Sequence, residues 1–179
     1  FTCMLLLADA LAALRQARPQ LHPRLQMIPF QHIYRMLEDG DLDAVVAFRE
    51  AESLKISAIY REFAEVPLMC ICPEGHPLTE QPRVDLQQLR EERLVLFAPP
   101  LGARPASQVH GQLTQEKTPS DLYFCESAEA ITALVAAGFG VSVLPDFLVP
   151  QLPRIRRIPL DGMKPLSFGI YYKSLQEMP

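Results

Sequence analysis

Apolar and polar positions along the chain alternate between helical and strand periods. Leu5, Leu6, Leu11 and Leu14 recur at helical spacing, with Thr2 as candidate N-cap and Pro19 beyond the end. Residues 24–28 (RLQMI) read as a short strand. Ile33, Met36 and Leu37 mark a second helix, stopped by Gly40 in the left-handed position. Residues 43–48 (DAVVAF) form a continuous apolar run, as expected of a parallel strand covered on both faces. Strand, helix and strand together predict one right-handed βαβ unit. Residues 55–63 (KISAIYREF) and 67–73 (PLMCICP) give two more strands, the second closed by the turn PEGHPL. Asp85 caps the segment DLQQLREE, which leads into a strand over 94–98. The loop at 99–107 (PPLGARPAS) opens a helix running to about Gln115. DLYFC (121–125) and LSFGIYYK (166–173) supply later strands. This alternation predicts an α/β fold with mainly parallel sheets.

Residues 126–145 (ESAEAITALVAAGFGVSVLP) are the most informative stretch. Ser127 caps a helix whose first turn carries Glu129. Alanines at 128, 130, 133, 136 and 137 are expected to thin this helix for close packing on a sheet. Gly138 supplies a left-handed stop, and Gly140 lets the backbone approach a neighbour before a short buried strand containing Val141, Val143 and Leu144. The one polar end of this element is the helix start at Ser127. In an open parallel sheet, helix starts lie at the carboxyl ends of strands, where ligands bind. Unpaired N–H groups and a partial positive charge suit an anion there.

These considerations select the candidate ligand-binding residues. Thr2 and Ser127 start helices, and Glu126 precedes one of them. Pro100, Leu101 and Gly102 present loop backbone, and Arg104 offers a bidentate clamp, although it reads equally well as a solvated loop charge. Phe48 and Arg49 end the DAVVAF strand on the same crevice edge, Phe48 reading equally as core.

Composition narrows the classes. With 179 residues, 49% hydrophobic and 21% charged, the chain has the profile of a globular protein with a sizeable core. A net charge of −4 gives these residues no electrostatic reason to bind nucleic acid. The apolar run MLLLADALAAL is short, contains Asp9 and lacks a basic leader, so neither a membrane span nor a signal peptide is expected. Cys3, Cys70, Cys72 and Cys125 are scattered among apolar residues, which points to a reducing cytoplasm rather than a disulfide framework. His22, His32, His76 and His110 show no metal-ligand spacing, and no nucleophile elbow or phosphate loop exists, so neither metal, cofactor nor catalysis is expected. GFG at 138–140 follows a helix instead of a strand, which rejects a dinucleotide fingerprint. The opening FTCMLLL lacks an initiator Met and reads as part of a longer chain.

Three segments in order, LEDGDLDAVVAF (37–48), CPEGHPL (72–78) and LVAAGFGVSVLP (134–145), resemble landmarks of the effector domain of LysR-type transcriptional regulators. The resemblance spans nearly the whole chain. It implies two Rossmann-like lobes joined by two crossing strands, in the manner of type 2 periplasmic binding proteins, with a small effector between them. Lobe I is then residues 1–64 plus 147–179 and lobe II residues 65–146. The winged helix-turn-helix, the linker helix and the first strand of lobe I are absent from this chain, so DNA binding belongs to the intact regulator. The family implies side-by-side homodimers of these domains and homotetramers of the full protein, with RNA polymerase as a further contact. The first helix, with its long apolar run, is a candidate for the dimer face, burial in lobe I being the simpler reading. Some members sense oxidants through a cysteine pair, but Cys70 and Cys72 share one face of a strand, which is poor disulfide geometry. Two rivals remain on this architecture: an exported solute-binding protein, marked by a signal peptide, and an enzyme such as a dehydratase or deaminase, which needs a convergent acid–base set for which only Glu126 and Arg104 present themselves.

Overall fold

A computed structural model describes residues 4, 6–28, 30–50, 55–98 and 104–173. The first helix, α1 (Ala8–Ala17), starts from Leu7 without a side-chain cap and buries no residue. Thr2, the expected cap, lies outside the described residues. Helix α2 (Phe30–Asp39) ends at Gly40 with φ +84°, the left-handed turn expected there. Its Ile33 and Leu37 pack against Val45 and Tyr171.

The first sheet holds β1 (Ala44–Phe48), β2 (Ile59–Val66) and β8 (Leu166–Tyr172) in the order β1-β8-β2. Both ladders are antiparallel, pairing Phe48 with Phe168 and Val66 with Leu166. A register shift between Glu62 and Ala64 leaves Phe63 as an extra residue on the edge strand β2. Two expectations fail here. Residues 24–28 form no strand, and Leu25 and Met27 stand 48% and 71% exposed. The βαβ unit is accordingly not formed among the described residues, because the strand that pairs with β1 is the antiparallel β8. A strand pattern in the sequence yields a strand only where a neighbour takes up its backbone hydrogen bonds.

The second sheet is built on β3 (Leu68–Pro73), flanked by β6 (Ser142–Pro145) and β7 (Ile155–Pro159), both antiparallel to it. The parallel pair β4 (Leu94–Phe97) and β5 (Leu122–Cys125) joins it through a parallel bridge from Leu94 to Val141. Parallel pairing is thus confined to a minority of the ladders, contrary to the mainly parallel sheets the alternation predicts. The pairing of β7 with β3 places residues 155–159 in the second sheet. The chain crosses between sheets twice, from β2 into β3 at Pro67 and from β7 to β8 across 160–165.

Local chemistry explains the elements of the second sheet. Asp85 and Gln88 form a reciprocal capping box on the short helix α3 (Leu86–Arg90). Helix α4 (Arg104–Thr114) buries Val109 and Leu113 in the largest core cluster, alongside Leu94, Leu96 and Val143. Helix α5 (Ala128–Ala136) buries Ile131, Thr132 and Val135, with Ile131 and Val135 packed on Ile71, Val95 and Leu144. Of its alanines, Ala128 and Ala136 are half-buried against this cluster beside the branched side chains, whereas Ala130, Ala133 and Ala137 are exposed. Gly138 has φ +84°, and a Cβ on Gly140 would lie 2.5 Å from the Arg93 carbonyl oxygen, so both glycines are required where the sequence places them.

Candidate functional site

Strand direction points the two candidate edges toward the crossings between the sheets. In the first sheet, Phe48 pairs with Phe168 and the Arg49 N–H donates to Ser167 O at 2.8 Å, near the start of β8 where the chain has just crossed over. The carboxyl end of β1 therefore points at the junction of the sheets. In the second sheet, the end of β6, Pro145, pairs with Leu68 at the start of β3, where the other crossing lands. Strands β4 and β5 run with β6, through the parallel pairing at Leu94–Val141 and Leu94–Leu122, so their carboxyl ends at Phe97 and Cys125 point the same way.

On the second-sheet edge, the Ala98 N–H donates to Cys125 O at 2.8 Å and holds the two strand ends together. Ser127 follows directly as the N-cap of α5, its Oγ accepting from the Ala130 N–H at 3.1 Å. Glu126 is exposed and Ser127 half-buried. The Glu129 carboxyl is held below its ordinary value, first by its own backbone N–H and also by the Ser127 hydroxyl. This helix start therefore favours negative charge. Helix α4 begins at Arg104, so a second helix start follows β4 on this edge. Thr2, Pro100, Leu101 and Gly102 lie outside the described residues, and of Arg104 only the backbone is described.

On the first-sheet edge, Arg49 is exposed and its guanidinium lies 5.5 Å from the centroid of the Tyr60 ring. The Tyr60 hydroxyl shares a 2.9 Å hydrogen bond with Ser167 Oγ, and Ser167 donates in turn to Glu62. Phe48 is 8% exposed and stacks on Phe147, with ring centroids 5.4 Å apart. Beside Arg49, the Glu50 N–H donates to the Tyr171 hydroxyl at 2.8 Å, and Tyr34 donates to Glu50 Oε1 at 3.3 Å. Burial, and then the Glu50 carboxylate, pushes the Tyr34 phenol far up, so it remains a neutral donor. Sequence inspection misses this cluster. Its members come from α2, the segment just after β1, β2 and β8, and no spacing links Tyr34, Glu50, Tyr60, Ser167 and Tyr171 before the sheet assembles them.

The described cysteines, Cys70, Cys72 and Cys125, are all buried and reduced. Burial pushes the Cys70 thiol far up and the Cys72 thiol to about 11, so neither supplies a thiolate at neutral pH. Among the described residues no group of three His, Cys, Asp or Glu side chains is placed to hold a metal ion. No described helix is long and apolar enough to cross a membrane.

Two sheets joined by two crossings, with strand ends converging on the junction, define a domain of the type 2 periplasmic-binding-protein class. Solved structures agree with that architecture. The reduced form of OxyR from N. meningitidis superposes with a TM-score of 0.78 at 20% identity, covering 94% of this chain and 81% of that one. HinK, a LysR family regulator from Pseudomonas aeruginosa, superposes with a TM-score of 0.75 at 22% identity, covering 97% of this chain and 60% of that one. The LysR substrate binding domain family matches residues 2–179, and the chain belongs to that family as an effector-binding domain. The HTH-type transcriptional regulator YnfL of Escherichia coli K12 is 32% identical over 157 residues, covering 86% of this chain and 52% of YnfL. The DNA-binding transcriptional dual regulator OxyR of the same strain is 26% identical over 175 residues, covering 94% of this chain and 55% of OxyR. The chain spans about half the length of these relatives.

Proposed function

We propose that this domain senses a small, anionic metabolite bound between its two sheets. The carrying observation is the convergence of two chemically complementary edges on one junction. One edge ends in the exposed guanidinium of Arg49, steadied by Tyr60. The other ends in the capped start of α5 at Ser127. A carboxylate suits both, pairing with the guanidinium and lying at the positive end of the α5 dipole. Thr2, Pro100, Leu101, Gly102, Arg104 and Glu126 complete the proposed lining, and Phe48 backs Arg49 from the core side.

Sensing follows from differential affinity: an effector that binds one arrangement of the lobes better shifts the population towards it. In the longer regulator that shift resets the spacing of DNA-binding heads carried by a homodimer or homotetramer, which acts in the cytoplasm with RNA polymerase as a further contact. The domain itself is a non-catalytic sensor. Thiol–disulfide sensing is the less suitable reading, because Cys70 and Cys72 are buried on one strand and held as thiols. Calorimetric titration of the purified chain with a panel of small mono- and dicarboxylic acids tests the proposal. Saturable binding of at least one acid at a single site is expected, and binding of neutral analogues in its place contradicts it.

A further inference from the structure

The junction between the sheets contains a ring that neither the effector site nor either sheet explains. Phe147 lies in the short 3-10 turn Asp146–Leu148 that leaves β6, so it belongs by sequence to the second sheet. Its backbone start is pinned there, with the Asp146 N–H donating to Pro67 O at 2.9 Å and the Asp146 carboxylate paired with Arg157 on β7. Its ring nonetheless packs in the first sheet. It stacks on Phe48 at 5.4 Å with planes 14° apart, and tilts against Phe168 at 4.9 Å and 57°. Phe48 and Phe168 pack on each other at 5.4 Å and 62°. Phe147 is thus a plug from one sheet seated against two rings of the other.

The site of contact matters. Phe48 is the last residue of β1 and the direct neighbour of Arg49, whose backbone is tied to Ser167 on β8. A rotation of one sheet relative to the other must slide or unseat the Phe147 ring. The near-parallel stack tolerates sliding, whereas the tilted contact with Phe168 sets a stop. Packed protein interiors do not deform continuously, so the ring is expected to have a small number of seated positions.

We propose that Phe147 is a positioning residue that fixes the angle between the two sheets and with it the placement of the Phe48–Arg49 edge. The role goes beyond effector binding and exists without any ligand. The test uses the full 179-residue chain with spin labels on non-natural residues at exposed Asp43 and Glu80, one beside each sheet, so that the native cysteines stay in place. Pulsed dipolar distance measurement on the ligand-free chain is expected to give one narrow peak. Phe147→Ala is expected to replace it with a broad distribution while far-UV circular dichroism is unchanged. Phe147→Tyr, which keeps the ring, is expected to restore the narrow peak. Phe124→Ala, which removes an exposed ring on β5 outside the Phe48–Phe147–Phe168 cluster, is expected to leave the peak as it is. If Phe147→Ala does not fold, Phe147→Leu, which fills the space without stacking, is read in the same way. A narrow peak in the ring-less variant, or equal broadening in Phe124→Ala, overturns the proposal. Either result leaves effector binding to be judged separately by titration.

Discussion

Replacing Ser127 separates the two roles its position combines. In the structure Ser127 Oγ accepts the Ala130 N–H at 3.1 Å, satisfying one of the free donors at the start of α5. Ser127→Ala removes that acceptor and is expected to cost about 1 kcal/mol of stability, within the usual range of about 0.5–2 kcal/mol for a lost cap. In a chain of this size that lowers the melting temperature by roughly 2–4 °C per kcal/mol. Ser127→Asp keeps an acceptor of equal capping quality, and its charge suits the positive end of the helix, so stability is expected to stay near wild type. The exposed Glu126 and Glu129 beside it offset part of that gain. Binding separates the variants in the opposite sense. A carboxylate at 127 repels an anionic effector at about 4 Å by roughly 1 kcal/mol in water-like surroundings and about 4 kcal/mol at an effective dielectric near 20. That is about a fivefold to a thousandfold loss of affinity. Urea unfolding gives the stability arm and calorimetry the binding arm. Equal destabilisation by Ala and Asp refutes the capping assignment. An Asp variant that binds the acid as tightly as wild type refutes the placement of the anion at this helix start.

Other positions give independent checks. Gly140→Ala drives a Cβ to within 2.5 Å of the Arg93 carbonyl oxygen, which is backbone and cannot swing aside, so a loss of about 1–3 kcal/mol in urea unfolding is expected. Burial lowers the pKa of His110 on α4, so the neutral ring is favoured in the fold. Its contribution is present above the unfolded value of about 6.5 and is lost as pH falls from there through the folded value. Replacing it with Gln is expected to flatten the stability profile in that window, measured by denaturant titration at stepped pH. Cys70 and Cys72 are expected to resist alkylation at neutral pH in the native chain and to react on unfolding, as followed by mass spectrometry of protease digests.

Local signals survive folding where the determinant is itself local. Asp85 and Ser127 cap the helices that follow them, Gly40 and Gly138 take left-handed φ, and Gly140 meets Arg93. Each is decided within a few residues or by one steric fact. Pairing partners are not local. The run at 43–48 shows that a strand forms there, but nothing in it says that β8, more than a hundred residues away, will pair with it antiparallel. The same gap explains residues 24–28, whose pattern suits a strand while no ladder partner is described. At the candidate site, Arg49 and Ser127 were legible as strand and helix ends. The tyrosine–glutamate cluster and the Phe147 ring were not, because their partners lie in elements that only the assembled sheets bring together.

The most direct test of an anion held between the two edges is a thermal-shift titration of four proteins with one acid that binds the wild-type chain. The proteins are wild type, Arg49→Gln, Ser127→Asp and the double variant. At a concentration of about 100 times the dissociation constant, the wild-type chain is expected to gain about 2.7 kcal/mol, a rise of several degrees. Each single variant is expected to lose at least about a third of that rise while keeping its ligand-free melting temperature, and the double variant to lose more than either. A rise that persists undiminished in the double variant places the acid elsewhere and contradicts the account.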